Sequence, residues 1–115
     1  MDETSAEKEA AADVIARVFA VIESRRGGDG SESYVAGLLE KGTAAIARKV
    51  GEEAVETVVA ALEDGPSRVT SESADLLFHL MVLWADQGVR PADIFQELAR
   101  REGTSGVEEK RRRGQ

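Results

Sequence analysis

Apolar positions recur at three- and four-residue spacing along most of the chain and never alternate over the length of a strand, so helix is predicted throughout. Ile15, Val18, Phe19 and Ile22 mark one face of a first helix over residues 3–26. The run Gly27-Gly28-Asp29-Gly30-Ser31 stops it and makes a flexible loop. Ser33 is placed to cap a short helix from Tyr34 to Lys41, which Gly42 ends. Thr43 is placed to cap a third helix running to about Asp64, followed by a turn at Gly65-Pro66. Ser67 would cap a fourth to about Gln87, closed by Gly88. Pro91 suits the first turn of a fifth helix ending near Glu102, because its missing N–H has no intrahelical partner there. The prediction is an all-α fold of about five helices. Residues 1–102 make one domain, and Gly103 to Gln115 is a polar tail expected to lack order.

Composition narrows the chemistry. The 115 residues are 42% hydrophobic and 32% charged, enough for one soluble domain without a second catalytic module. No apolar run reaches the ~18 residues of a membrane span. The acidic start, Met1 to Glu9, lacks the basic-then-apolar layout of a signal peptide. With no cysteine and one histidine, disulfides, thiol nucleophiles, thiolate metal sites and a structural zinc site are excluded. Any metal must be held by oxygen, which points to magnesium, manganese or calcium. A net charge of -7 argues against non-specific binding to nucleic acid or anionic lipid. The run Lys110-Arg111-Arg112-Arg113 reads as a solvated end, and Gly27 to Gly30 has neither the preceding strand nor the spacing of a phosphate loop.

Two helices carry the candidate site. At about 100° per residue, with Glu52 at zero, Glu56 falls near 40°, Lys49 near 60° and Glu53 near 100°. Alone, that face reads as an ordinary solvated stripe. The fourth helix is different, because Val69, Leu76, Leu77, Phe78, Leu80, Met81, Val82, Leu83 and Trp84 cover nearly all of it. Glu72, Asp75 and His79 share the narrow polar strip that remains. A helix apolar almost all round is buried on most sides, so its charges need partners.

The short turn makes the two helices antiparallel neighbours. Glu56 and Glu72 stand 8 residues either side of residue 64, Glu53 and Asp75 stand 11, and Lys49 and His79 stand 15. Glu53, Glu56, Glu72 and Asp75 should therefore converge, with Lys49 and His79 one turn deeper. Four carboxylates so close cannot all stay ionised without cations, and all-oxygen ligation selects Mg²⁺. Mg²⁺ on carboxylates suits phosphate chemistry, with Lys49, Lys41 and Arg48 available for the remaining phosphate charge. The apolar fourth helix also predicts a homodimer, with Phe19, Phe78, Trp84 and Phe95 supplying apolar area.

Longer strings add a resemblance. Ser33-Tyr34, Leu38-Leu39-x-Lys41-Gly42, Ile46, Lys49-Val50-Gly51-Glu52-Glu53-Ala54-Val55-Glu56 and Glu72-Ser73-Ala74-Asp75-Leu76-Leu77-Phe78-His79-Leu80 closely resemble the phosphoribosyl-ATP pyrophosphohydrolases, within the MazG-like all-α superfamily. The likeness covers roughly residues 12–102, and Arg101 to Lys110 resembles an extension that some members carry. It implies Mg²⁺-dependent hydrolysis of phosphoribosyl-ATP to phosphoribosyl-AMP and pyrophosphate, the second step of histidine biosynthesis, with Mn²⁺ as a possible substitute ion. It also implies a cytoplasmic homodimer. By position, Glu53, Glu56, Glu72 and Asp75 match the family's metal signature. Glu52 matches the first of its paired glutamates, as a ligand or general base, and Lys49 and His79 match positions characteristic of the subgroup. The cyclohydrolase fused to some members is expected to be absent, since its zinc site needs cysteines. Two alternatives stand beside this reading. One is a house-cleaning (d)NTP pyrophosphohydrolase of the same superfamily, against which the string from Ser33-Tyr34 to Gly51 argues. The other is a non-enzymatic, cation-binding helical dimer or adaptor, which should have lost a carboxylate; none is missing.

Overall fold

The computed structural model describes residues 3–103 and 106–114. Its regular elements are all helical: α1 (Glu3–Ser24), α2 (Tyr34–Lys41), α3 (Thr43–Val59), a π-helical turn (Ala60–Asp64), α4 (Pro66–Gln87), α5 (Pro91–Arg101) and α6 (Gly106–Gly114). The all-α prediction holds. None of these helices is long and apolar enough to cross a membrane.

Local chemistry sets the ends, and not always as expected. Ser33 caps α2, its hydroxyl accepting the Ala36 N–H at 3.1 Å. Gly42, at φ 98°, serves both neighbours. Its N–H bonds the Leu38 carbonyl at 3.1 Å, and its carbonyl accepts the Ile46 N–H at 3.2 Å. Thr43 is therefore not a cap; its hydroxyl donates to Asp86 on α4 at 2.6 Å and fastens the start of α3 to the end of α4. Ser67 is not a cap either, because α4 already begins at Pro66 with Gly65 at the N-cap.

The third helix reaches Asp64 as predicted, but its last turn is widened. The Gly65 N–H reaches back five residues to the Ala60 carbonyl at 2.9 Å, the bond of a π turn. Gly65 itself sits at φ 102° and ψ -173°, a region nearly closed to other residues. A Cβ there would meet nothing within 4 Å, so any cost of adding one is backbone strain alone. Gly65→Ala should therefore destabilise the fold by about 1–3 kcal/mol. A thermal melt checks this, and an unchanged midpoint would contradict it.

The core gathers Ile22 from α1, Val35 and Leu38 from α2, Ile46 from α3, and Met81, Val82 and Ala85 from α4. Helices α3 and α4 form the principal pair, with α1 across α4 and α2 against α3. Arg26, in the loop after α1, donates to the Ala85 carbonyl and ties that loop to α4. Not every face of α4 is covered: Leu77 is exposed, as are Val55, Val58, Val59 and Leu62 of the preceding segment. The tail, expected to lack order, carries α6, whose last turn holds Arg111, Arg112 and Arg113. Cations there complement the negative end of the helix dipole, a local gain the composition argument left out.

Candidate metal centre

A three-residue step on α3 puts Glu53 and Glu56 on neighbouring sides of one turn, and the reversal at Gly65 brings α4 back beside them. One carboxylate oxygen from each of Glu53, Glu56 and Glu72 lies within 4.8 Å of the others. Glu53 and Glu72 are buried, at 7% and 4% exposure, while Glu56 faces solvent.

The two buried carboxylates are held alike. Lys49 Nζ lies 3.2 Å from Glu53 Oε1, and Arg68 Nη2 lies 2.6 Å from Glu72 Oε1. In each case the other oxygen, Oε2, is buried and has no hydrogen-bond partner in the protein. Leaving a buried acceptor unpaired costs about 1–3 kcal/mol, more when it is charged. Two such oxygens beside a third carboxylate are a donor set suited to a hard divalent cation.

The charges also act on Glu56. The carboxylates of Glu53 and then Glu72 repel its ionised form and raise its pKa above the ordinary glutamate range. A group whose folded pKa is raised favours the fold below its unfolded pKa and loses that contribution as pH climbs through the folded value. Glu56→Gln, which cannot ionise, should therefore melt higher than wild type at neutral pH in chelator. The gap should close on acidification, and melts from about pH 4 to pH 8 would show it; a gap that widens toward acid would contradict this account.

The remaining candidates lie around this group. Glu52 is more exposed, its Oε1 3.7 Å from Lys49 Nζ. The Glu53 carboxylate, before any other group, raises the Lys49 pKa and keeps the amine charged. Asp75 is exposed, and the structure does not bring its carboxylate into the group of three. Three residues on from Glu72, it points about 60° away around α4. His79 is buried with both ring nitrogens engaged. Nδ1 lies 2.7 Å from the Asp75 carbonyl, which can only accept, so Nδ1 carries the proton. In the neutral ring Nε2 then accepts from the Tyr34 hydroxyl at 2.8 Å.

Arg68 and Tyr34 are the partners that sequence reasoning missed. Arg68 was legible as a cation one turn before Glu72. Tyr34 was visible only as part of a motif, because its contact with His79 joins residues 45 apart.

A family model described as phosphoribosyl-ATP pyrophosphohydrolase matches residues 15–102. Proteins named phosphoribosyl-ATP pyrophosphatase are similar along most of their length. The one from Azospirillum brasilense is 54% identical over 108 residues, covering 94% of this chain and 97% of that protein. The one from Paramagnetospirillum magneticum is 55% identical over 100 residues, covering 87% and 92%. The one from Rhizorhabdus wittichii is 61% identical over 89 residues, covering 77% and 84%.

Proposed function

Because the chain belongs to the phosphoribosyl-ATP pyrophosphohydrolase family, we propose that it hydrolyses phosphoribosyl-ATP to phosphoribosyl-AMP and pyrophosphate, the second step of histidine biosynthesis. The observation that carries this reading is the pair of buried, unpartnered oxygens on Glu53 and Glu72, set in the helical hairpin inside the matched region. Glu53, Glu56 and Glu72 would hold the metal; Asp75, which matches the fourth carboxylate of the family's signature, stands outside their group here and would have to turn toward them to join. A bound Mg²⁺, or Mn²⁺ in its place, supplies positive charge to phosphate oxygens and a lowered pKa for water.

The protein's own groups do the rest. Water adds across the anhydride between the α and β phosphates, and its proton must go to a base. Glu52 is the candidate, exposed on the face next to Glu53. Lys49 offers its ammonium to the phosphate charge that grows as pyrophosphate leaves. His79, with both nitrogens bonded, acts through Tyr34 by fixing the direction of its hydroxyl. Such a biosynthetic enzyme works in the cytoplasm. The deciding assay is pyrophosphate release from phosphoribosyl-ATP in Mg²⁺, with deoxynucleoside triphosphates alongside. Release from phosphoribosyl-ATP is expected to be much the faster; a preference for the deoxynucleotides would overturn the assignment in favour of a house-cleaning enzyme.

The active form is a homodimer in this reading. Val55, Val59 and Leu62 follow one another at four- and three-residue spacing, and Leu62 is 79% exposed. A second copy would cover that stripe and add the apolar area a lone hairpin lacks. Sedimentation at micromolar concentration should give a dimer, and a monomer there would count decisively against it.

A further inference from the structure

We propose that Arg68 is a positioning residue for Glu72: it holds Oε1 from the solvent side and so turns the unpartnered Oε2 into the acidic group, ready for a divalent cation. This rests on the metal reading above and adds to it a residue from outside the carboxylate set. Three observations carry it. The Arg68 side chain is 59% exposed, yet its Nη2 lies only 2.6 Å from the oxygen of a carboxylate that is 6% exposed. That bond takes one oxygen of Glu72 and leaves the other buried and unpaired. The same layout recurs on α3, where Lys49 sits four residues before Glu53, takes its Oε1 and leaves its Oε2 free.

An ordinary helix-stabilising ion pair is the rival explanation, and the order of the residues weakens it. Pairs with the acid before the base complement the helix dipole better than the reverse, and both pairs here run base before acid. A carboxylate held at one oxygen has lost the rotation about its last side-chain torsion. Its second oxygen then points one way before any ligand arrives, which is how outer partners of metal ligands raise affinity.

The two explanations differ in sign. A guanidinium that acts only through its charge repels a nearby cation, so removing it should leave divalent binding unchanged or tighten it. A guanidinium that aims Glu72 should weaken binding when removed. Mn²⁺ titration of the nucleotide-free protein, by calorimetry or by electron paramagnetic resonance, reads this directly. Arg68→Met is expected to weaken Mn²⁺ binding roughly tenfold to a hundredfold. Arg68→Lys, which keeps one donor in reach of Oε1, should recover most of the loss. Circular dichroism at room temperature should show each variant folded with wild-type helicity, while Arg68→Met melts lower because both oxygens of the buried Glu72 are then unpaired. Mn²⁺ affinity in Arg68→Met equal to or above wild type would overturn the proposal. Failure of the underlying metal reading looks different: the wild-type protein itself would take up no Mn²⁺.

Discussion

Glu53→Gln is expected to reduce turnover by at least roughly a thousandfold, about 4 kcal/mol of transition-state stabilisation, while helicity stays intact. The amide keeps the shape of the carboxylate and can still accept from Lys49, so packing around α3 changes little. What goes is the negative charge on a buried oxygen that no protein group satisfies. The apo protein should become more stable, because Glu56 loses the larger of the two charges that oppose its ionisation. Activity and stability then move in opposite directions, a pattern that general damage to the fold cannot produce. Steady-state kinetics with and without chelator, and melts in chelator, test both halves. Wild-type enzyme fully active in excess chelator would overturn the metal requirement itself.

Lys49→Met should lower kcat/KM by roughly tenfold to a thousandfold, about 1.4–4 kcal/mol. A triphosphate neutralised by one divalent cation still carries excess negative charge, and the leaving pyrophosphate gains more as the anhydride breaks. The Lys49 amine stays charged beside Glu53 and its side chain remains one-third exposed, so it is both ionised and reachable. A surface ion pair would show no kinetic effect and a stability change within about 0.5 kcal/mol. The geometry adds a cost that the helical wheel did not foresee. Because Glu53 is buried, losing Lys49 leaves both of its oxygens unpaired and should destabilise the apo fold by about 1–3 kcal/mol. A Lys49→Met enzyme with wild-type kinetics would show that the cation serves the fold alone.

The helices were legible because their ends are written in local chemistry. Glycine at positions 42, 65 and 88, Ser33 before α2 and the prolines at 66 and 91 each mark a boundary that the backbone obeys. The hairpin register was legible in outline, since a short turn leaves two helices little choice of neighbour. Its detail was not. The widened turn at Ala60–Asp64 depends on how the hairpin packs, and no residue type announces it. The same limit applies to Asp75, which shares an arc with Glu72 on the wheel but lies at the exposed edge of that arc. Thr43 looked like a cap because threonine often is one, yet its hydroxyl found Asp86 across the pair. Long-range partners such as Tyr34 for His79 have no local signal at all.

The single residue between α2 and α3 has a consequence for how this chain can vary in length. Gly42 closes one helix and opens the next, so nothing there can take up slack. One residue inserted on the α3 side would turn every later position of that helix by about 100° and advance it about 1.5 Å. Glu53 would leave Glu72, and Lys49 would leave the arc it shares with them. A deletion would do the same in the other direction. From Ser33 to Glu56 the chain behaves as a ruler whose divisions must be kept, and related sequences should align there without gaps. Insertions belong in the stretch between Arg25 and Glu32, where no helix continues and no site residue stands downstream on the same rigid element.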